Sequence, residues 1–135
     1  MIYIDTCAFL ARYLAKDQYH DQAVAFWGEL KTGKEVLVTS NFVLDETATL
    51  LVRRAGYLFA SKRLQAVYAS NLLQIRRPDQ EDELRAIDWF AKFSDQGVSF
   101  TDCISFVLMN RGRIERVFSF DRHFDTAGFK RLPVG

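Results

Sequence analysis

Two acidic residues of this 135-residue chain come directly after apolar segments that are typical of buried strands. Asp5 follows Ile2–Ile4, and Asp121 follows the segment 116–120. Carboxylates that meet at the ends of neighbouring strands can bind a hard divalent cation such as Mg²⁺ or Mn²⁺. A cation bound in this way can activate a water molecule for hydrolysis. These positions therefore point to a site for a divalent cation.

Two further acidic residues are predicted near the beginnings of helices. Glu46 lies in the second turn of a helix that Ser40 or Asn41 caps, and Asp102 lies in the first turn of a helix that begins near Thr101. The helix of Glu46 leaves the end of a strand, so its side chain stays near that end. We therefore expect all four carboxylates to converge on one edge of a sheet.

Strand-like and helix-like segments alternate along the chain, which predicts an α/β fold. We expect a three-layer α/β/α sandwich with a central, mostly parallel sheet of four or five strands, formed by residues 1–135 as a single domain. Ligands bind such sheets outside the carboxyl ends of the strands. The strands are predicted at residues 2–4, 36–38, 72–75 and 116–120, with a short edge strand at 130–133.

Helices are predicted where apolar residues recur at helical spacing. In the helix predicted at residues 79–93, the side chains of Leu84, Ile87, Phe90 and Ala91 are expected to face the core. The other helices are predicted at residues 7–16, after residue 21, at 40–55 with a break at Gly56, at 58–70 and at 99–111.

Each acid taken alone has a simpler structural explanation. Asp5 can cap the first helix, and Asp121 can cap the turn after its strand. The pattern Ser99-x-x-Asp102 fits a capping box. Glu46 can be an ordinary solvated helix residue. These explanations are favoured for a single acid, but they account less well for four acids at one edge.

The electrostatic cost of such a cluster favours a bound cation. Two carboxylates ~5 Å apart repel each other by about 3 kcal/mol at an effective dielectric constant of 20. Four unpaired acids would become protonated or move apart. No lysine or arginine in the surrounding segments is expected to neutralise the group. We therefore expect a divalent cation at this edge.

Four segments resemble, in order, the motifs of PIN-domain nucleases, and most closely those of the VapC-type toxins of toxin–antitoxin pairs. The resemblance covers essentially the whole chain and reaches Gly128-Phe129. No single segment is specific, whereas the four in order are. The segments are Ile2-Tyr3-Ile4-Asp5-Thr6, Thr39-Ser40 followed after five residues by Glu46, Ser99-Phe100-Thr101-Asp102-Cys103, and Phe118-Ser119-Phe120-Asp121-Arg122-His123-Phe124.

The resemblance implies a divalent-metal-dependent endoribonuclease whose products carry 5′-phosphate and 3′-hydroxyl ends. Asp5, Glu46, Asp102 and Asp121 match the catalytic, metal-binding acids of the family, and the implied cofactor is Mg²⁺ or Mn²⁺. The full set of acids argues for an active enzyme.

The resemblance also assigns hydroxyl residues that orient the acids or the substrate phosphate. Thr6, Thr101 and Ser119 match these positions. Two departures from the family pattern are small: Cys103 stands where a residue such as alanine is usual, and Asp45 precedes the acidic helix residue. Neither removes a carboxylate, so activity is expected to persist.

The net charge excludes a strongly basic surface, so any RNA binding must depend on a local patch. The chain has 18 Lys and Arg residues against 17 Asp and Glu residues, a formal charge of +1. Arg122 and the group 111–116 lie closest in sequence to the acids. The candidate RNA contacts are Arg53, Arg54, Lys62, Arg63, Arg111, Arg113, Arg116 and Arg122.

The histidines and cysteines are given structural rather than chemical roles. His123 is predicted to be a surface turn residue, and His20 is predicted to be an exposed residue at the beginning of a helix. Cys7 and Cys103 form no disulfide pattern, and we expect two reduced thiols that pack as small buried apolar residues.

The resemblance to toxins implies an RNA substrate, a small antitoxin partner and a homodimer. The aromatic helices around residues 58–68 and 89–93 are candidate interfaces, although ordinary core packing is the favoured explanation. The beginning of the sequence does not resemble a signal peptide, and no apolar run approaches the ~20 residues of a membrane span. We expect a cytoplasmic protein without membrane association.

Two alternatives remain open. The first is a PIN nuclease outside any toxin pair, acting in RNA processing or on structured DNA. The second is a non-catalytic RNA-binding or scaffold domain that keeps the fold without turnover.

Overall fold

The computed structural model describes residues 1–134 and has a five-stranded parallel sheet at its centre. The strands are β1 (Ile2–Ile4), β2 (Leu37–Ser40), β3 (Leu73–Arg76), β4 (Arg116–Phe118) and β5 (Lys130–Leu132). They are arranged in the order β3-β2-β1-β4-β5, and every neighbouring pair is parallel. The predicted α/β fold is confirmed. The single-domain prediction extends to residue 135, which lies outside the described residues, and it remains a prediction.

Six helices connect and flank the strands within residues 1–134. They are α1 (Thr6–Tyr13), α2 (His20–Thr32), α3 (Asn41–Ala69), α4 (Gln80–Lys92), α5 (Phe100–Arg111) and α6 (His123–Thr126). Gly56 interrupts α3 with a φ of 86°, a conformation that favours glycine, so the predicted break is confirmed. In this part of the chain, no helix combines the length and apolarity needed to span a bilayer.

Helices lie on both faces of the sheet because crossovers between parallel strands are right-handed. The chain moves outward from β1 through β2 to β3 and then returns to β4 on the other side of β1. Side-chain contacts agree with two layers of helices. Phe118 of β4 meets Phe26 of α2 at a ring-centroid distance of 4.9 Å, whereas the hydroxyl of Tyr3 in β1 accepts a hydrogen bond from Ser105 of α5.

Helix α5 is a central buried element, and this fixes the position of its first turn. All residues from Asp102 to Met109 are buried. A helix that is buried on all sides must be apolar on all sides. Near its middle, Phe106 packs against aromatic rings at centroid distances between 5.2 and 6.3 Å. These rings belong to Trp89, Phe93, Phe124 and Phe129.

The prediction of which side chains of α4 face the core is wrong. Leu84, Ile87 and Phe90 are 56%, 50% and 46% exposed, and Ala91 is exposed as well. Together they form an apolar stripe on the outer side of the helix. Below we call Leu84, Ile87, Phe90 and Ala91 the α4 stripe.

Aromatic packing determines which side of α4 is buried. Ala86 is buried, and Trp89 and Phe93 contact the ring of Phe106 in α5. Helical periodicity allows two apolar stripes on this segment, and the pattern alone does not say which one packs against the protein. Because α4 buries the stripe with the larger aromatic rings, the α4 stripe faces outward.

Candidate functional site

The pairing of β1 with β4 brings Asp5 next to Ser119. Ile4 lies opposite Phe118 in the register of these parallel strands, so the residues that follow each of them are neighbours at the carboxyl edge. Strand β4 ends at Phe118, two residues before the predicted end. The hydroxyl of Ser119 donates a 3.0 Å hydrogen bond to Oδ2 of Asp5.

The carboxylate of Asp5 is buried and only partly satisfied. Asp5 is 2% exposed, and its Oδ1 is buried without a hydrogen-bond partner. Although Asp5 precedes α1, its side chain forms no capping bond, which contradicts the explanation that it serves as a helix cap. Burial raises the pKa of Asp5 to about 6, against the opposing effect of hydrogen bonds from Cys7, Ser119 and the backbone of Thr6.

The second buried acid, Asp102, is part of the predicted capping box, which is confirmed. The backbone N–H of Asp102 donates to Oγ of Ser99 at 3.0 Å, and the N–H of Ser99 donates to Oδ2 of Asp102 at 3.4 Å. Burial raises the pKa of Asp102 to about 7, and the charges of Asp5 and Asp121 act in the same direction. The charge of Glu46 adds to the effect. The capping acid therefore also experiences the charges of the other three acids, and its carboxylate lies within 4.8 Å of that of Asp121.

Asp121 is held by a turn at the end of β4. Its backbone N–H donates to Oγ of Ser119 at 3.0 Å, and its Oδ1 accepts the backbone N–H of His123 at 2.9 Å. The turn-capping explanation for Asp121 is therefore correct. It is compatible with a site, because the same bonds fix the carboxylate beside Asp5 and Asp102.

The imidazole of His123, predicted to be a surface turn residue, is 27% exposed and lies among these carboxylates. Its Nδ1 is 3.1 Å from Oδ1 of Asp121 and 3.6 Å from Oδ2 of Asp102. Ligand atoms of these three residues all lie within 4.8 Å of one another. Burial lowers the pKa of His123, but the charge of Asp121 and the carbonyl of Gln96 outweigh it, so the net shift is upward.

Cys7 also belongs to the hydrogen-bond network of the site, which a purely apolar role does not explain. Its Sγ donates to Oδ2 of Asp5 at 3.1 Å and accepts the backbone N–H of Phe120 at 3.2 Å. Burial, followed by the charge of Asp5, holds the pKa of Cys7 well above its usual range, so the thiol stays protonated. Cys103 is buried, as predicted.

The remaining predicted site residues lie near the beginnings of three helices. Glu46 is half-buried in the second turn of α3, which Ser40 caps by accepting the N–H of Val43 at 3.1 Å. Thr6 is buried at the beginning of α1, and its Oγ1 has no hydrogen-bond partner. Thr101 is half-buried in the first turn of α5.

The residues present at this edge fit a divalent cation. Within residues 1–134, no lysine or arginine forms an ion pair with any of the four acids. The unpaired Oδ1 of Asp5 has no donor to satisfy it. Clustered carboxylate oxygens are the donor set that Mg²⁺ and Mn²⁺ prefer. The chemistry of these donors therefore agrees with the predicted cofactor.

Three of the candidate RNA contacts lie far from the acids. Helix α5 rises ~1.5 Å per residue, so Arg111 is roughly 13 Å from Asp102 along its axis. Arg111 pairs with Asp82 at the beginning of α4. Arg113 follows α5 at that end, and Arg116 begins β4 opposite Ile2. These three arginines are close to the acids in sequence but not in space. Helix α5 carries the chain away from Asp102, and β4 then brings it back to Asp121.

The other basic candidates are exposed. Arg122 is adjacent to Asp121 and precedes α6. Arg53 and Arg54 lie on α3 beyond Glu46, about two helical turns from it. Lys62 and Arg63 lie beyond Gly56, and Arg63 stacks over the rings of two aromatic residues, Tyr13 and Phe59.

Comparison with known proteins identifies the family. The family model of the PIN domain matches residues 2–130. The chain is 33% identical over 129 residues to the protein named 23S rRNA-specific endonuclease VapC20 from Mycobacterium tuberculosis, covering 96% of this chain and 95% of that protein. It is 36% identical over 123 residues to a VapC ribonuclease from Archaeoglobus fulgidus, covering 90% of this chain and 77% of the relative.

Solved structures agree with this result. The crystal structure of M. tuberculosis VapC20, described as a sarcin–ricin loop cleaving toxin, superimposes with a TM-score of 0.87 at 32% identity, covering 96% of each chain. The structure of FitAcB from Neisseria gonorrhoeae has a TM-score of 0.70 at 15% identity, covering 98% of this chain and 97% of the other, and supports the fold alone. The chain therefore belongs to the PIN-domain family and, within it, to the VapC group.

Proposed function

We propose that this protein is a divalent-metal-dependent endoribonuclease that acts as the toxin of a toxin–antitoxin pair. One observation carries the proposal: Asp5, Asp102 and Asp121 converge at the carboxyl edge of the sheet, and within residues 1–134 no lysine or arginine forms an ion pair with them. The names of the VapC relatives support the same activity. An acidic cluster of this kind is costly unless it serves to bind a cation.

The four predicted acids would hold the cation. Asp5, Asp102 and Asp121 are proposed as direct ligands, with Glu46 binding directly or through water. When bound, a Mg²⁺ or Mn²⁺ ion supplies a more acidic water and neutralises charge on the substrate phosphate. The products are expected to carry 5′-phosphate and 3′-hydroxyl ends.

Neighbouring side chains keep these acids in position. Ser119 and Cys7 both donate to Oδ2 of Asp5, which leaves Oδ1 without a partner. The buried hydroxyl of Thr6 is likewise unpaired and could donate to a substrate phosphate or to an acid. Thr101, beside Asp102, is proposed for the same role.

RNA binding is proposed to depend on exposed arginines, of which Arg122 lies nearest to the acids. Arg122 adjoins Asp121, and Arg53 and Arg54 extend along α3 from Glu46. Arg111 and Arg113 are less suitable because they lie at the other end of α5. An RNA that spans several of these arginines would lose affinity steeply with added salt.

The substrate is proposed to be a structured ribosomal RNA. The relative VapC20 is named as specific for 23S rRNA and is described as cleaving the sarcin–ricin loop. The present chain is similar to it over nearly its full length, so an oligonucleotide with the sequence of that loop is the first RNA to test.

The experiment is cleavage of this oligonucleotide by purified protein with Mg²⁺, with Mn²⁺ and with EDTA. We expect cleavage with either ion, none in EDTA, and none with Asp5→Asn or Asp102→Asn. Asp45→Asn is the matched control, because Asp45 is an exposed acid next to Glu46. Binding of RNA without cleavage in any metal would support a non-catalytic domain and contradict the proposal.

The partner proteins are proposed to be a small antitoxin and a second copy of the chain, in the cytoplasm. The α4 stripe supports a protein interface, because three large apolar residues there are about half exposed. Changing Ile87 to Lys should leave the chain folded and convert a dimer to a monomer in light scattering. Co-purification with the product of an adjacent small gene would identify the antitoxin, whereas cleavage without such a partner would favour an enzyme of RNA processing.

A further inference from the structure

The ring of His123 is fixed by a backbone carbonyl on the side away from the acids. Its Nε2 lies 2.8 Å from the carbonyl oxygen of Gln96. A carbonyl oxygen can only accept, so Nε2 carries a proton and donates it. In the neutral ring the other nitrogen, Nδ1, then carries a lone pair. The carbonyl thus selects the tautomer.

The lone pair on Nδ1 faces oxygen atoms of two carboxylates, those of Asp121 and Asp102. Nδ1 is 3.1 Å from Oδ1 of Asp121 and 3.6 Å from Oδ2 of Asp102. Despite the short distance to Asp121, the contact lacks hydrogen-bond geometry, and the buried Nδ1 has no hydrogen-bond partner. Both oxygens accept a backbone N–H, from His123 and from Ser99, but no donor lies between them and Nδ1 of the neutral ring. A cation between the three atoms would therefore stabilise them.

The spacing of the three atoms suits a single ion. They all lie within 4.8 Å of one another. Two ligands on opposite sides of an ion at ~2.1 Å would be about 4.2 Å apart. Small side-chain rotations are therefore sufficient to bring all three atoms to bonding distance.

We propose that Nδ1 of His123 is a direct nitrogen ligand of the ion held by Asp102 and Asp121, and that this ligand makes the site prefer Mn²⁺ over Mg²⁺. The inference rests on the proposed function and names the metal for it. Mg²⁺ is bound almost entirely through oxygen, whereas imidazole is a common ligand of transition metals. The carbonyl of Gln96 is the outer-shell acceptor that ligating histidines usually have on their second nitrogen.

The direct test is electron paramagnetic resonance of Mn²⁺ bound to protein labelled with ¹⁵N-histidine. A nitrogen ligand produces a hyperfine coupling whose frequency changes between ¹⁴N and ¹⁵N samples. The chain has two histidines, and His20 contacts the carbonyl oxygen of Ala11 at 2.7 Å. We expect the coupling in the natural sequence and in His20→Gln, and its loss in His123→Gln.

Calorimetry supplies a second measurement. The Kd for Mn²⁺ should rise at least about tenfold in His123→Gln, since loss of even an outer-shell partner costs that much. The Kd for Mg²⁺ should change less, so the preference for Mn²⁺ should shrink. His20→Gln should leave both constants unchanged.

The outcomes separate this inference from the function on which it rests. Bound Mn²⁺ with no histidine coupling in the natural sequence, together with metal-dependent RNA cleavage, would overturn the nitrogen ligand and leave the nuclease intact. Failure to bind either ion, with no cleavage in any metal, would overturn both. If His123→Gln does not fold, persistence of the coupling in His20→Gln still assigns it to His123, and its loss there overturns the inference.

Discussion

The hydroxyl of Ser119 donates to Oδ2 of Asp5 at 3.0 Å, although the two residues lie near opposite ends of the chain. The Oγ of Ser119 also accepts the backbone N–H of Asp121 at 3.0 Å. One hydroxyl group therefore connects acids that follow two neighbouring strands. Its donor and acceptor functions are both used, so its removal should disturb both acids together.

Replacing Ser119 with alanine should weaken metal binding and RNA cleavage. Asp5 would lose a donor and the N–H of Asp121 would lose its acceptor, so both carboxylates would be less well positioned. We expect a loss of about 10- to 100-fold in metal affinity, as for other outer-shell changes, and a loss of ~1–3 kcal/mol in stability. Calorimetric titration with Mn²⁺ and denaturant unfolding measure the two effects.

Ser105→Ala is the matched control for this variant. Ser105 is also a buried serine, and its hydroxyl donates a hydrogen bond to the hydroxyl of Tyr3 at 3.0 Å. It should lose similar stability while keeping its metal affinity. Equal losses of metal affinity in both variants would mean that Ser119 contributes only to folding.

Replacing Asp5 with asparagine should stabilise the metal-free protein while abolishing cleavage. The amide keeps an acceptor for Ser119 and Cys7. It also removes a buried negative charge that is repelled by the charges of Asp121 and Asp102. In EDTA at about pH 8, the Tm should rise by a few degrees. A lower Tm in EDTA would show that the charge of Asp5 is already well compensated without metal.

The stability of the metal-free protein should fall as the pH rises from about 5 to 8. The pKa values of Asp5 and Asp102 in the folded protein, about 6 and about 7, exceed the value of about 3.9 in an unfolded chain. The contribution of these two groups is thus fully present below about pH 4 and is lost as the pH rises through their folded-state values.

Thermal unfolding with and without Mn²⁺ measures this dependence. The ion should raise the Tm more at about pH 8 than at about pH 5, because it binds deprotonated carboxylates. The double variant Asp5→Asn with Asp102→Asn should show a weaker decline with pH and little response to the ion. An equal decline in the double variant would assign the effect to other groups.

The acids could be predicted because they depend on topology rather than on side-chain detail. Asp5 and Asp121 come directly after strands, and parallel strands end at a common edge. Asp102 and Glu46 can be placed at the same edge because each lies near the beginning of a predicted helix. The roles of His123 and Cys7 could not be predicted by this reasoning, because they depend on side-chain direction. The ring of His123 is held beside the acids by a contact with the carbonyl of Gln96, which lies 27 residues earlier in the chain.

The buried side of α4 was mispredicted for a related reason. Both apolar stripes of this helix have suitable spacing, and the choice between them depends on contacts with a residue of another helix, Phe106. Arg111 and Arg116 are close to the acids in sequence but lie away from them in the structure, because α5 runs away from Asp102 and β4 begins at the opposite edge of the sheet. Each of these errors concerns contacts between elements, whereas the elements themselves were recognised from local patterns.

Two arginines that flank the metal site in sequence should behave differently when they are replaced with alanine. Arg122 is exposed beside Asp121, so Arg122→Ala should weaken RNA binding and reduce the slope of log Kd against log salt by about 1. Arg111 pairs with the buried Asp82 at the far end of α5, so Arg111→Ala should leave both quantities unchanged and lower the Tm instead.

Fluorescence anisotropy with a labelled RNA at several salt concentrations, using Asp5→Asn to prevent cleavage, measures the slopes. A reduced slope for Arg111→Ala with no change for Arg122→Ala would mean that RNA crosses the opposite end of the molecule and that the arginine beside the acids is not a phosphate contact.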